Sequence, residues 1–306
     1  KNIKTKDILT SKAFENAMIV HAACGGSTNL ILHLPAVAHA VKENIMKVED
    51  WIRINKLTPR LVDVLPNGPK GFPTSVFFSS GGVPEVMLKL RNEGLLNLDV
   101  ITSTGLTLKE NLDWWEQSEK RDFVRKQLRN TRHIDPEDVV HSLKNSKKKN
   151  MTSTVTFPKG NISPEGSVVK STAIDKTVID DDGVYRKIGP ARIFISEADA
   201  IKAVKDKGEN GVKAGDIMVI VCGGPKGTGM QEVAQITIAL KYLSYGKEVA
   251  LITDGRFSGV STGACIGHIG PEALDGGPIG KLKENDLIEI NIDTINLEGS
   301  INLIGE

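Results

Sequence analysis

Cysteine is scarce in this chain: Cys24, Cys222 and Cys265 are all it has in 306 residues. They form no C-x-x-C pair and no Cys/His ligand spacing, so a disulfide framework and a self-contained zinc site are excluded. A sparse, odd set suits a reducing compartment. Each reads as a small, partly buried residue. A charge surplus is missing too, with 39 Lys and Arg against 38 Asp and Glu and a formal net charge of +1. That balance gives no electrostatic case for nucleic acid or an acidic membrane. The short basic run Lys147-Lys148-Lys149 reads as solvated linker. No apolar stretch is long enough to span a bilayer, and no signal-peptide pattern opens the sequence. The expectation is a soluble cytoplasmic protein, long enough for two cores, with 40% hydrophobic and 25% charged residues.

What is present concentrates in one run, Asp254-Gly255-Arg256-Phe257-Ser258-Gly259-Val260-Ser261-Thr262-Gly263-Ala264-Cys265-Ile266-Gly267-His268. It follows the apolar Val249–Thr253, which reads as a buried strand, so small and hydroxylated residues fall where the chain leaves a sheet. Proteins of the α/β class place chemistry there. Gly259-Val260-Ser261-Thr262-Gly263 formally matches the G-x-S-x-G nucleophile elbow, but that fold needs an acid and then a histidine downstream, and no histidine follows His268. A second glycine-rich loop, Gly223–Glu232, lies between an expected strand and an expected helix. It does not match the P-loop pattern, so nucleotide binding is disfavoured.

Thr253-Asp254-Gly255-Arg256-Phe257-Ser258-Gly259 resembles the C-terminal signature of the dihydroxy-acid / 6-phosphogluconate dehydratase family. Gly25-Gly26-Ser27-Thr28-Asn29 with Leu32-His33-Leu34-Pro35-Ala36 resembles its internal signature. The stretches Trp51–Lys56, Val64–Pro69, Gly81–Met87 and Leu108–Glu116 resemble the D-xylonate dehydratase branch more than the branched-chain amino-acid enzymes. The resemblance implies a hydro-lyase acting on a sugar acid, with an iron-sulfur cluster (2Fe-2S or 4Fe-4S) and magnesium as cofactors. The family's enzymes are longer, and the cluster cysteines and a magnesium motif belong to an N-terminal half whose text is not found here. The expectation is therefore a piece of a longer protein or one product of a split gene, inactive alone and active as a homo-oligomer when complete or with the missing half; the alternatives are a non-catalytic substrate-binding or assembly module and a dihydroxy-acid dehydratase of branched-chain amino-acid biosynthesis. No cluster role passes to Cys24, Cys222 or Cys265.

Periodicity is mostly helical to about Asn145, with helices expected from Thr10/Ser11, after Thr28-Asn29, and at 49–56, 84–93, 108–117 and 120–128. Trp114 and Trp115 read as one buried and one interface ring, and His133 and His141 as surface residues. Polar Asn145–Asn150 reads as a domain boundary. Beyond it the pattern turns to strands at 152–157, 167–170, 191–195, 217–221, 249–253, 287–292 and 300–303, with helices at 197–205 and 232–243. Many strands with few helices suggest a mixed barrel or sandwich. The fold expectation is α/β: residues 1–145 as the helical part of an α/β N-terminal domain, then 151–306, which the resemblance implies is a swivelling, aconitase-like β/β/α barrel domain.

Candidate site residues follow. The Gly25–Asn29 turn sits between two helices, and its Ser27, Thr28 and Asn29 either hold a substrate carboxylate at a helix N-terminus or merely cap. Glu232 is, by resemblance, a magnesium ligand; read alone it is a first-turn glutamate favoured by the helix dipole. Ser258 matches the family serine proposed as catalytic base, and Arg256 offers nearby positive charge to stabilise its ionised form. Ser261 and Thr262 complete the substrate-binding candidates. Ser258 as a simple turn residue is the competing reading.

Overall fold

A computed structural model describes residues 2–258 and 263–305. The chain divides into two compact units, Lys1–Thr154 and Val155–Glu306.

The first unit carries α1 (Thr5–Ile8), α2 (Ser11–Cys24), α3 (Asn29–Ala40), α4 (Val48–Leu57), α5 (Thr74–Ser79), α6 (Gly82–Asn92), α7 (Leu108–Glu116), α8 (Glu119–Arg132) and α9 (Leu143–Lys148). Its helix ends follow local chemistry. Thr10 opens α2 by accepting the Ala13 N–H at 3.3 Å, and Thr107 and Glu110 form a reciprocal capping box on α7. Gly25 ends α2 in the left-handed region at φ 62°, and a Cβ there would lie 2.9 Å from Thr154 Cγ2. Only glycine meets both demands. Buried Phe14, Met18, Ile19 and Ala22 line one stripe of α2, and Trp51 and Ile54 one stripe of α4.

The fully buried Glu85 of α6 is held by two cations of α8. It accepts from Arg121 Nε at 2.8 Å and Nη2 at 3.0 Å, and it lies 3.1 Å from Arg125 Nη1. Three local expectations change here. Lys147 and Lys148, expected in a linker, lie on α9, whose N-cap Ser142 accepts the Asn145 N–H at 3.3 Å. His141 is 1% exposed rather than on the surface, and burial holds its pKa below the usual histidine value, with Lys149 adding to the effect. Trp114 is the exposed ring, at 65%, and Trp115 is half-buried.

The second unit contains β1 (Val155–Thr156), β2 (Gly166–Lys170), β3 (Val184–Phe194), α10 (Glu197–Lys205), β4 (Ile217–Ile220), α11 (Pro225–Thr228), β5 (Glu232–Val233), α12 (Gln235–Lys241), β6 (Ala250–Thr253), β7 (Arg256–Phe257), β8 (Cys265–Gly270), β9 (Leu287–Asp293) and β10 (Glu298–Gly305). Eight of these strands form one mixed sheet in the order β1-β2-β8-β6-β4-β3-β9-β10, with β3, β4, β6 and β8 parallel at its centre. A bridge between Lys159 and Ser300 brings the two edges of that order together, so the sheet is nearly closed. Alternating residues of its strands fill the interior: Ile217, Val219, Ala250, Ile252, Ile266, Ile288, Ile290, Ile292 and Ile301.

The expected barrel character holds in this coarser form, as a mixed sheet with crossover helices. Within this sheet two stretches were not legible. The first half of β3 is Val184-Tyr185-Arg186-Lys187-Ile188-Gly189-Pro190; its charges, Gly and Pro argue against a strand, yet it pairs antiparallel with β9. Strand β8 reads as a glycine-rich loop but is clamped between β2 and β6.

Candidate active site

The parallel pair β5 and β7 sets Glu232 opposite Arg256 and Val233 opposite Phe257. Its hydrogen bonds run on past the strand end, since Gln231 C=O accepts the Arg256 N–H at 3.0 Å and Val233 C=O accepts the Ser258 N–H at 3.4 Å. With a two-residue period, Glu232, Arg256 and Ser258 belong to one side of this ladder. Val233 and Phe257, both buried, belong to the other. The Arg256 guanidinium is steered by Nε, which donates to the Met230 carbonyl at 2.6 Å, and Nη1 comes within 3.7 Å of Glu232 Oε2.

This overturns one expectation: Glu232 is not a first-turn helix residue. Gly229 at φ 68° and Met230 at φ 66° both lie in the left-handed region, the chain then extends to pair with β7, and α12 starts only at Gln235. Pairing across sequence overrides local helix preference.

Asp254, named from sequence for its charge, is structural. It is 1% exposed and accepts backbone N–H groups from Gly223 at 2.8 Å, Ala273 at 2.9 Å and Cys222 at 3.2 Å, tying together the chain after β4, β6 and β8. The loop that tempted a phosphate reading already holds an anion of the chain's own: Glu272 accepts the Lys226 N–H at 2.9 and 3.1 Å. It packs so closely on Gly224 that a Cβ there would overlap it.

His268 went unassigned in the sequence. It sits on β8 at φ 54°, its N–H donates to Gly255 C=O at 2.8 Å, and its ring meets Phe257 edge-on at 6.3 Å. Burial lowers its pKa to about 4, with the Arg256 cation adding to the effect, so the ring is neutral at physiological pH. Its place in the signature run, fifteen residues after the end of β6, was the only signal available.

In the first unit, Ser27, Thr28 and Asn29 meet at the start of α3. Ser27 Oγ accepts the Asn29 N–H at 3.3 Å, and the Ser27 carbonyl lies 2.8 Å from His21 Nε2. Thr28 is the N-cap residue but makes no capping bond with its side chain. Ser261 and Thr262 lie outside the described residues.

Among the described residues no three His, Cys, Asp or Glu side chains are grouped to hold a metal ion. Magnesium takes several oxygen ligands in near-octahedral geometry, so Glu232 fits as one contributor and no more. The cysteines do not fit an iron-sulfur cluster. Burial pushes the Cys24 thiol up to about 12 and the fully buried Cys265 thiol higher, while burial with Asp254 and Glu272 raises that of Cys222. Cluster ligation requires the thiolate.

Residues 138–303 match the profile described as Dihydroxy-acid/6-phosphogluconate dehydratase C-terminal, and residues 1–111 match its N-terminal counterpart. The chain belongs to the dihydroxy-acid/6-phosphogluconate dehydratase family. It is 58% identical over 305 residues to D-xylonate dehydratase YagF and 60% identical over 306 residues to D-xylonate dehydratase YjhG, both of Escherichia coli strain K12. Each match covers 100% of this chain and 46% of the relative. Dihydroxy-acid dehydratase of Picrophilus torridus is 40% identical over 301 residues, covering 98% of this chain and 49% of that one. The chain thus spans about half the length of the curated relatives it matches. The family resemblance read from the two signatures holds, and so does its lean toward the D-xylonate branch.

Proposed function

We propose that this chain is part of a hydro-lyase that dehydrates a sugar acid, D-xylonate or a related aldonate, to its 2-keto-3-deoxy acid. The observation that carries the reading is identity of 58% and 60% along the whole chain to two D-xylonate dehydratases, against 40% to a dihydroxy-acid dehydratase.

The reaction removes the proton on C2, next to the carboxylate, and expels the C3 hydroxyl as water; the resulting enol becomes the keto acid. In this reading the Ser258 oxygen takes the C2 proton. A serine hydroxyl is a weak base unless positive charge stabilises its ionised form, and Arg256 stands two residues before it, its guanidinium fixed by the Met230 carbonyl. Glu232 would hold magnesium with one carboxylate oxygen, and the metal would supply positive charge beside the substrate carboxylate. The thiols of this chain do not fit an iron-sulfur cluster. Ser27, Thr28 and Asn29 are the first unit's candidates for a substrate carboxylate, and Ser261 and Thr262 are hydroxyl candidates of the second.

The test joins this chain to the portion of YagF that the match leaves uncovered and offers D-xylonate, D-gluconate and a branched-chain 2,3-dihydroxy acid. Keto acid should form from the aldonates, and Ser258→Ala should lower kcat by roughly two to four orders of magnitude. Preference for the branched-chain acid would replace the sugar-acid reading with that of a dihydroxy-acid dehydratase. Full activity of Ser258→Ala would remove the serine from the mechanism.

A further inference from the structure

Two arginines of the first unit are buried, and only one of them has a counter-charge among the described residues. Arg125, 6% exposed, meets Glu85, Glu137 and the Ser80 carbonyl. Arg60, 5% exposed, makes no ion pair, and its Nε and Nη1 are enclosed without a hydrogen-bond partner. The field of Asp63 reaches it, but that carboxylate is fully buried and committed to the Lys70 N–H at 2.9 and 3.2 Å and the Gly71 N–H at 3.0 Å. Burial accordingly lowers the Arg60 pKa, with Asp63 offsetting only part of the effect. Backbone bonds hold the residue in place, its N–H donating to Met151 C=O at 3.2 Å and its C=O accepting from Ser146 Oγ. The side chain runs against the Gly25 turn, where a Cβ on Gly25 would come 3.1 Å from Arg60 Cδ. That turn leads into the twelve-residue α3, and the N–H groups of Ser27 and Thr28 at its start make no hydrogen bond among the described residues.

A guanidinium enclosed without a counter-charge is costly, and water brings hydrogen bonds but no charge. For stability alone an apolar side chain of similar length would serve better. We infer that Arg60 binds the carboxylate of a small organic acid at the turn of residues 25–28. The guanidinium offers one positive charge in a planar fork that matches two carboxylate oxygens. The start of α3 adds uncommitted N–H groups and the positive end of a helix dipole. Ser27 Oγ is already spent on the Asn29 N–H, so the charge of Arg60 leads the recognition. On the dehydratase reading, on which this one identification rests, the acid is the aldonate substrate.

The test labels the arginine Nε–H groups of the 306-residue chain isotopically, assigns the Arg60 signal by its loss in Arg60→Met, and titrates with D-xylonate, acetate, D-xylitol and inorganic phosphate. The Arg60 signal should shift saturably with D-xylonate at a dissociation constant on the order of millimolar, and with acetate more weakly. D-xylitol should leave it in place, and phosphate should bind no tighter than D-xylonate. Arg60→Met should unfold at a higher urea concentration than the wild type by Trp51 fluorescence, since a charge without a partner is removed; an arginine with a merely structural role would give the reverse. In the protein joined to the uncovered portion of YagF, Arg60→Met should raise KM for D-xylonate about tenfold or more with kcat changed less, and Arg60→Lys should recover part of the loss. No keto acid from the joined wild type would sink the dehydratase reading, while the titration of the 306-residue chain still judges Arg60. An unmoved Arg60 signal, an equal response to D-xylitol, tighter binding of phosphate, or a lower urea midpoint in Arg60→Met would each overturn the inference. So would a KM that stays unchanged while kcat falls, which would assign the counter-charge of Arg60 to the added portion of the protein.

Discussion

A buried neutral histidine makes the second unit acid-sensitive in a way that can be worked out beforehand. Burial, aided by Arg256, places the His268 pKa at about 4 in the folded chain, against about 6.5 for an unfolded histidine. The folded pKa is the lower one, so between those values the unfolded chain binds more protons and stability falls as pH falls. The contribution is fully present above about pH 6.5 and is lost as pH drops toward 4. From pH 7.5 to pH 5.0 the two titrations differ by about 2 kcal/mol, and a folded pKa one unit higher would still leave about 1.6 kcal/mol. His268→Asn removes the titration while keeping a residue that tolerates φ 54°. Urea unfolding of both proteins, followed through the amide signals of Ile252 and Ile290 in the core of the second unit, gives the difference directly. His141 has a lowered pKa as well, but it is common to both proteins and cancels. The wild type should lose about 2 kcal/mol more than His268→Asn over this range. Equal losses would mean that His268 titrates normally when folded and that its enclosure beside Arg256 is misjudged.

Two further perturbations probe each unit's buried charge. Glu85→Gln should cost the first unit about 3–5 kcal/mol, because Arg121 and Arg125 lose the carboxylate both approach; Trp51 fluorescence during urea unfolding measures it, and a loss under about 1 kcal/mol would show that water satisfies the guanidinium groups. Asp254→Asn, which replaces one of the two acceptor oxygens serving three backbone N–H groups, should cost the second unit about 1–3 kcal/mol per N–H stranded, with faster hydrogen exchange at Gly223 and Ala273 as its signature; unchanged exchange there would remove the carboxylate from its tying role.

The sequence by itself determined the family, because two signatures in order, Gly25–Ala36 and Thr253–Gly259, are chemical text that needs no coordinates. It also determined the elements with strong local causes. The Thr10 and Thr107 caps place α2 and α7, and the unbroken apolar runs at 217–220 and 250–253 give buried parallel strands. Where the cause is a partner distant in sequence, local pattern failed. Glu232 has helix-forming neighbours, yet it is extended because β7 offers it a ladder 24 residues on. The same holds for β8, whose glycines predict a loop until β2 and β6 pair with it, and for His141, whose polarity predicts exposure until Leu61 C=O and the Asp63 region enclose it. The candidate site divides along the same line. Its residue types were legible in the signature run, but the sharing of one side by Glu232, Arg256 and Ser258 follows from the register of two short parallel strands, which only the tertiary fold fixes.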